Sequence, residues 1–146
     1  MKVVSTISYL GDLRTNSRHL RSGEECLSDA PVDNNGKGGA FSPTDMIANS
    51  LGTCMLTLMG ITANKHNFKL GAIEAQVEKE MAAGPRRIIK IRTLIRVEDL
   101  GFTPEQKHAI EDAAINCPVT YSLHPDIDQI TEFEYRTDVS DAANWE

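Results

Sequence analysis

The chain has 146 residues, 40% hydrophobic and 25% charged, with ten glycines; this composition suits one globular domain and excludes a chain-long coiled coil or a disordered polymer. Fifteen Lys and Arg against 21 Asp and Glu give a net charge of −6, and 5% of residues are aromatic, so nucleic-acid binding lacks its basic face and stacking rings. The longest apolar run, Met55 to Ile61, is broken by Thr57 and Gly60 and falls short of the roughly 20 residues of a membrane span; with no basic segment and apolar run in Met1 to Leu10, a soluble, cytoplasmic protein is expected.

Val3 to Leu10 is β-branched and aromatic enough to predict a strand, Gly11-Asp12 a turn, Leu13 to Leu20 a returning strand, and Glu25 to Asp29 a third. Ala30 to Phe41 holds two Asn, three Gly, a Pro and an Asp, which predicts a surface loop. At its end, Ser42-Pro43-Thr44-Asp45 reads as a helix start. Ser42 caps, Pro43 takes the first position where its missing N–H costs nothing, and Asp45 sits beside the positive end of the dipole.

The predicted helix runs about 22 residues, roughly 33 Å. Ile47, Leu51, Cys54, Met55 and Leu58 make one apolar face, while Met46, Leu56 and Met59 lie on others. A helix apolar nearly all round, in a domain this small, predicts a central position and cover from a second subunit, hence a homodimer. After Asn67 the period becomes two. Ile73, Ala75, Val77 and Met81 alternate with Glu74, Gln76, Glu78 and Glu80; Ala82 to Pro85 turns; Ile89, Ile91, Ile95 and Val97 return opposite Lys90, Arg92 and Arg96. This predicts a hairpin with one solvated face, its acidic and basic side chains paired across the strands.

Thr103-Pro104-Glu105-Gln106 repeats the helix start with a capping box, predicting a helix to about Asn116. Cys117-Pro118-Val119-Thr120 is a third X-Pro start, with a cysteine at the cap and a short helical turn to Leu123. His124-Pro125-Asp126 ends it, Ile130 to Thr137 predicts a last strand, and the tail to Glu146 is polar. Strands, helix, strands, helix in that grouping predict α+β with an antiparallel sheet.

Cys26, Cys54 and Cys117 are odd in number and widely spaced, which does not suit a structural disulfide framework. A thiolate is the reactive form, and positive surroundings favour it. Cys117, capping the helix at Pro118, faces free backbone N–H groups. Cys54 lies about ten residues inside the long helix, so its activation needs a cation from the fold; Arg14, Arg18 and Arg21 are the candidates. The plain alternatives are a small core hydrophobe for Cys54, a packed cap for Cys117 and an incidental Cys26. Spacing alone leaves them open.

Ser42-Pro43-Thr44-Asp45-Met46, then Ala48-Asn49-Ser50-Leu51-Gly52-Thr53-Cys54-Met55, then Asn116-Cys117-Pro118-Val119 after a second helix, resembles the family of osmotically inducible protein C (OsmC) and organic hydroperoxide resistance proteins. Leu13-Arg14-Thr15 with His19, and Asp29-Ala30-Pro31 with the Gly-rich loop, extend the resemblance over nearly the whole chain. It implies one OsmC-like α+β domain over residues 1–146, with antiparallel sheets wrapped around long central helices in an intertwined homodimer. It also implies thiol peroxidase chemistry without metal, haem or flavin, with Cys54 peroxidatic, Cys117 resolving, an external dithiol as reductant and an arginine at the thiolate. Arg14 is the best match for that arginine and Arg18 the reserve. Members specialised for organic hydroperoxides carry a glutamate after the helix-start proline, paired with that arginine; here the residue is Thr44, and Asp45 points elsewhere and reads as a cap. The chain is therefore closer to the OsmC-like branch.

Other constellations carry less. Cys54, Cys117, His19 and His124 lack zinc-ligand spacing, and His66 and His108 read as helix-end or surface residues. Gly36-Lys37-Gly38-Gly39 lacks the flanking strand and the ending of a phosphate loop; it reads as a flexible loop or lid. Two functions follow: a peroxidase using Cys54 and Cys117 in oxidative stress defence, or a redox-sensing or small-molecule binding module on the same fold with little turnover.

Overall fold

Three antiparallel strands open the chain: β1 (Ser5–Gly11), β2 (Arg14–His19) and β3 (Glu25–Asp29), in sheet order β1-β2-β3. These belong to a computed structural model that describes residues 1–137; the polar tail read from the sequence lies outside the described residues. The chain packs as two compact units, Met1–Ile47 and the residues from Ala48 on. In the first, the β1–β2 turn takes positive φ at Gly11, Asp12 and Leu13 (88°, 50° and 62°). The loop after β3 folds back on itself, with the Gly36 amide donating to Pro31 O and the Gly38 amide to Ala30 O.

α1 (Pro43–Lys65) begins where the sequence places it. The Asp45 amide donates to Ser42 Oγ at 3.1 Å and the Ser42 amide to Asp45 Oδ2 at 2.8 Å, a reciprocal cap. Its buried face is Ala48, Leu51, Gly52, Met55, Met59 and Ala63, rotated from the predicted stripe; Ile47 is 43% exposed. The reason lies in the small residues. A Cβ on Gly52 would stand 2.8 Å from Val77 Cγ2, so Ala48 and Gly52 let the helix backbone approach the second sheet. By length and composition alone α1 is long and apolar enough to cross a membrane, a point that the uninterrupted-run criterion missed. Here Leu51, Met55 and Met59 are buried in the core, each a stabilisation of about 1.5–3 kcal/mol.

The second unit carries a mixed sheet of order β4-β5-β6. β4 (Ile73–Ala83) and β5 (Arg86–Glu98) form the expected hairpin, and Glu80–Lys90 and Glu78–Arg92 pair across its outer face at 3.5 and 3.8 Å. A bulge pairs Glu80 with Lys90 but Met81 with Ile88. Ile89 is the extra residue, so Ile88, not the expected Ile89, is buried in the core. β6 (Asp128–Arg136) runs parallel to β5, correcting the expectation of a purely antiparallel sheet. The chain leaves the Glu98 end of β5, crosses over through α2 (Pro104–Ile115) and α3 (Pro118–Ser122) and starts β6 at the opposite end, beside Lys90, and a crossover of this kind delivers a parallel strand. The α+β class stands.

Candidate active site

α2 starts on the predicted capping box, with the Gln106 amide on Thr103 Oγ1 and the Thr103 amide on Gln106 Oε1. It stops at Asn116 because Pro118 pushes Cys117 into extended backbone, φ −72° and ψ 156°. Pro118 then restarts the helix as α3. This break turns the chain at Cys117, whose side chain is fully buried in the core. Cys54, halfway along α1, is half-buried and packs against the same cluster.

The two thiols are neighbours, close enough that each acts on the other's protonation. Both cysteines that the sequence singles out as a pair are thus brought together within the second unit. Cys117 Sγ also lies 3.4 Å from Thr120 Oγ1, and the amides of Thr120 and Val119 favour its thiolate. The two environments differ. Burial pushes Cys54 up, and with the Cys117 sulfur beside it this outweighs the Val119 amide, so its thiol is held above the ordinary cysteine value. Burial also works against Cys117, but the Thr120 hydroxyl and amide, Cys54 and the Val119 amide together hold it below that value. Cys117 has more groups favouring its thiolate than Cys54, on which the Val119 amide alone acts against burial.

Two residues missed in the sequence complete this arrangement. Thr120 stands in the Cys-Pro-Val-Thr turn with no role that its spacing reveals, and Gln129 carries no motif. Gln129 Nε2 donates to the Thr120 carbonyl at 3.1 Å, tying α3 to β6. Only the β5–β6 register, with Gln129 beside Ile91, places it there.

Arg14 lies in the first unit, where its Nε and Nη2 donate to Asp29 Oδ1 and Oδ2 at 2.7 and 2.8 Å. Asp29 is 2% exposed and also accepts the Gly39 amide at 2.9 Å. The Arg14 hydrogen bonds hold its carboxyl below the ordinary aspartate value against the pull of burial. A Cβ on Gly39 would stand 2.9 Å from Asp29 Oδ2, so the glycine-rich loop spends this amide on the protein's own carboxylate. Arg18 and Arg21 are exposed, as are His66, His108, His124 and Cys26. His19 shares a 2.7 Å hydrogen bond with Ser22, and the Thr44 hydroxyl lies 3.2 Å from that of Ser42. Among the described residues, no group of three or more His, Cys, Asp or Glu is placed to hold a metal ion.

Fold and site together define an α+β protein with a paired-thiol centre. Residues 36–132 match the family model of OsmC-like proteins, and the chain belongs to that family. A solved structure from Psychrobacter arcticus 273-4, provisionally described as an osmotic stress induced and detoxification response protein, is 42% identical, with a TM-score of 0.86 over 92% of this chain and 97% of that one. An organic hydroperoxide resistance protein OsmC from Legionella pneumophila is 15% identical, with a TM-score of 0.70 over 90% and 97%. An organic hydroperoxide resistance protein from Elizabethkingia anophelis is also 15% identical, with a TM-score of 0.68 over 93% and 99%. Among curated proteins there is no match.

Proposed function

We propose that this protein is a thiol-dependent peroxidase that reduces organic hydroperoxides or hydrogen peroxide in oxidative stress defence. The observation that carries the reading is the juxtaposition of Cys54 and Cys117 at one core cluster, with Cys54 the less buried of the two. The Cys54 thiolate displaces alcohol or water from the peroxide and becomes a sulfenic acid. Cys117 then condenses with it, releasing water and forming a disulfide before further oxidation. An external dithiol restores both thiols. The cation that offsets the burial of Cys54 is assigned to Arg14 by family resemblance, as is the peroxide-orienting role.

Assembly as a homodimer is part of the same proposal. All fully buried apolar residues among those described lie from Ala48 on, whereas Ile7, Tyr9 and Phe41 in the first unit are 68%, 67% and 53% exposed. A second copy is the cover that family resemblance assigns to such a surface. Light scattering should give twice the chain mass at micromolar concentration.

Continuous consumption of peroxide with a dithiol reductant tests the activity. If the reduced protein leaves both cumene hydroperoxide and hydrogen peroxide unconsumed, the enzyme reading fails. One observation favours the second reading, a redox-sensing or small-molecule binding protein with little turnover: burial holds the Cys54 thiol up. Its signature is a single stoichiometric oxidation of Cys54 and Cys117 without sustained consumption.

A further inference from the structure

We propose that when the Cys54–Cys117 disulfide is reduced, the external dithiol attacks Cys54 and Cys117 departs, and that Thr120, positioned by Gln129, sets this direction. The inference rests on the two-cysteine reading above. Access is the first ground. An incoming thiolate must reach one sulfur with the other behind it as leaving group; Cys54 is half-buried, whereas Cys117 is fully enclosed among core residues.

The second ground is the fate of the negative charge. The departing sulfur leaves as a thiolate, faster where that charge is better received. Cys117 Sγ has the Thr120 hydroxyl at 3.4 Å, with the Thr120 and Val119 amides favouring its thiolate; at Cys54 the Val119 amide alone acts in that sense. Hydrogen bonds to a charged acceptor are about twice as strong as neutral ones, so the Thr120 donors strengthen as the S–S bond breaks. They also hold the reduced Cys117 thiol below its ordinary value in spite of burial.

The third ground is that Thr120 is held. Gln129 Nε2 pins the Thr120 carbonyl from β6 at 3.1 Å, while Gln129 Oε1 is buried with no hydrogen-bond partner among the described residues. A buried, half-satisfied carboxamide is a stability liability that an apolar residue of similar size would remove. Its presence against α3 is what a positioning residue looks like, and this separates its role from packing.

One thiolate of the dithiol bonds to Cys54 Sγ, the Cys54–Cys117 bond breaks, and its electron pair stays on Cys117. The second thiol of the reductant attacks its own sulfur in the mixed disulfide. This expels Cys54 as thiolate and closes a cyclic disulfide, so the dithiol loses two electrons and the protein disulfide gains them.

The test uses the full chain carrying Cys26→Ser, oxidised with diamide so that no peroxide is required. Glutathione, a monothiol that stops at the mixed disulfide, is added; the reaction is quenched with acid and the adduct mapped by mass spectrometry. Glutathione on Cys54 with Cys117 free is expected; an adduct on Cys117, or equally on both, overturns the proposal. With dithiothreitol, Thr120→Val should slow disulfide reduction about tenfold and Thr120→Ser should restore it. Gln129→Leu should slow reduction without lowering the melting temperature. Wild-type reduction rates in Thr120→Val and Gln129→Leu would overturn the positioning role. Failure of diamide to join Cys54 to Cys117 would overturn the pair itself. A disulfide formed by diamide in a protein that consumes no peroxide would sink only the peroxidase reading.

Discussion

Arg14 and Asp29 face each other across β2 and β3 and are joined by two parallel hydrogen bonds, Nε to Oδ1 and Nη2 to Oδ2, at 2.7 and 2.8 Å. The carboxylate opposite this arginine comes from β3, fifteen residues along the chain, while Thr44 on α1 holds a hydroxyl against Ser42. Two parallel contacts fix the plane of the guanidinium as well as its place.

Asp29→Asn should therefore destabilise the protein in a pH-dependent way. Arg14 holds the Asp29 carboxyl below its ordinary value, so the charged form is the one the fold binds. Its stabilisation is fully present above the unfolded aspartate pKa, near about 3.9, and is lost as pH falls through the lower folded value. Thermal melts of wild type and variant should differ at pH 7 and converge toward pH 3. A constant difference across that range would contradict the ion pair as the cause.

Two glycines on α1 should respond oppositely to alanine. At Gly52 a new Cβ would stand 2.8 Å from Val77 Cγ2, while at Gly60 it meets nothing within 4 Å. Gly60→Ala should stabilise by up to about 1 kcal/mol through helix propensity. Gly52→Ala sets the same gain against overpacking of about 1–3 kcal/mol and should come out destabilised. Urea titrations of the two variants read the contrast directly.

In the Cys117→Ser variant, no second thiol is present to capture the Cys54 sulfenic acid. Excess peroxide should then carry Cys54 on to the sulfinic form, a gain of two oxygens on that residue visible in peptide mass spectra. Finding Cys54 unmodified there would count against its peroxidatic assignment.

Tyr135 on β6 donates its hydroxyl to Glu111 at 2.8 Å, stacks edge-on with Phe102 and has the Lys107 ammonium 4.2 Å from its ring centre. Burial, with the Glu111 hydrogen bond and charge behind it, pushes the phenol well above its ordinary value. A raised folded value means stabilisation that is complete below the unfolded pKa, near about 10, and is lost as pH rises beyond it. Absorbance at the phenolate band should show one tyrosine that ionises only as the protein unfolds. Tyr135→Phe should remove that step and lower stability by about 1 kcal/mol.

The three X-Pro helix starts were plain in the sequence because each cap is a local matter, settled within four residues: Ser42 with Asp45, Thr103 with Gln106, and Cys117 before Pro118. What depended on distant pairing was not. Ile89 rather than Ile88 looked like core because a bulge opposite Met81 leaves no mark on an alternating run. The parallel direction of β6 leaves no mark in its own residues, because it is set by the crossover that precedes it. The Cys54–Cys117 pair was legible from motif, and its partners Thr120 and Gln129 were not, since they meet only once β6 has registered against β5. Asp29 stood in view throughout, but only the β2–β3 register aligns it with Arg14.

The parallel pairing of β5 and β6 also bears on the order in which the molecule assembles. Every contact in that ladder closes a loop containing all of α2 and α3, and such non-local closure is entropically slow compared with zipping the β4–β5 hairpin. Gln129 reaches Thr120 only when that loop has closed. Rapid, specific joining of Cys54 to Cys117 by an oxidant then becomes a chemical clock for refolding, lagging the appearance of helix and marking the moment at which the chain becomes competent.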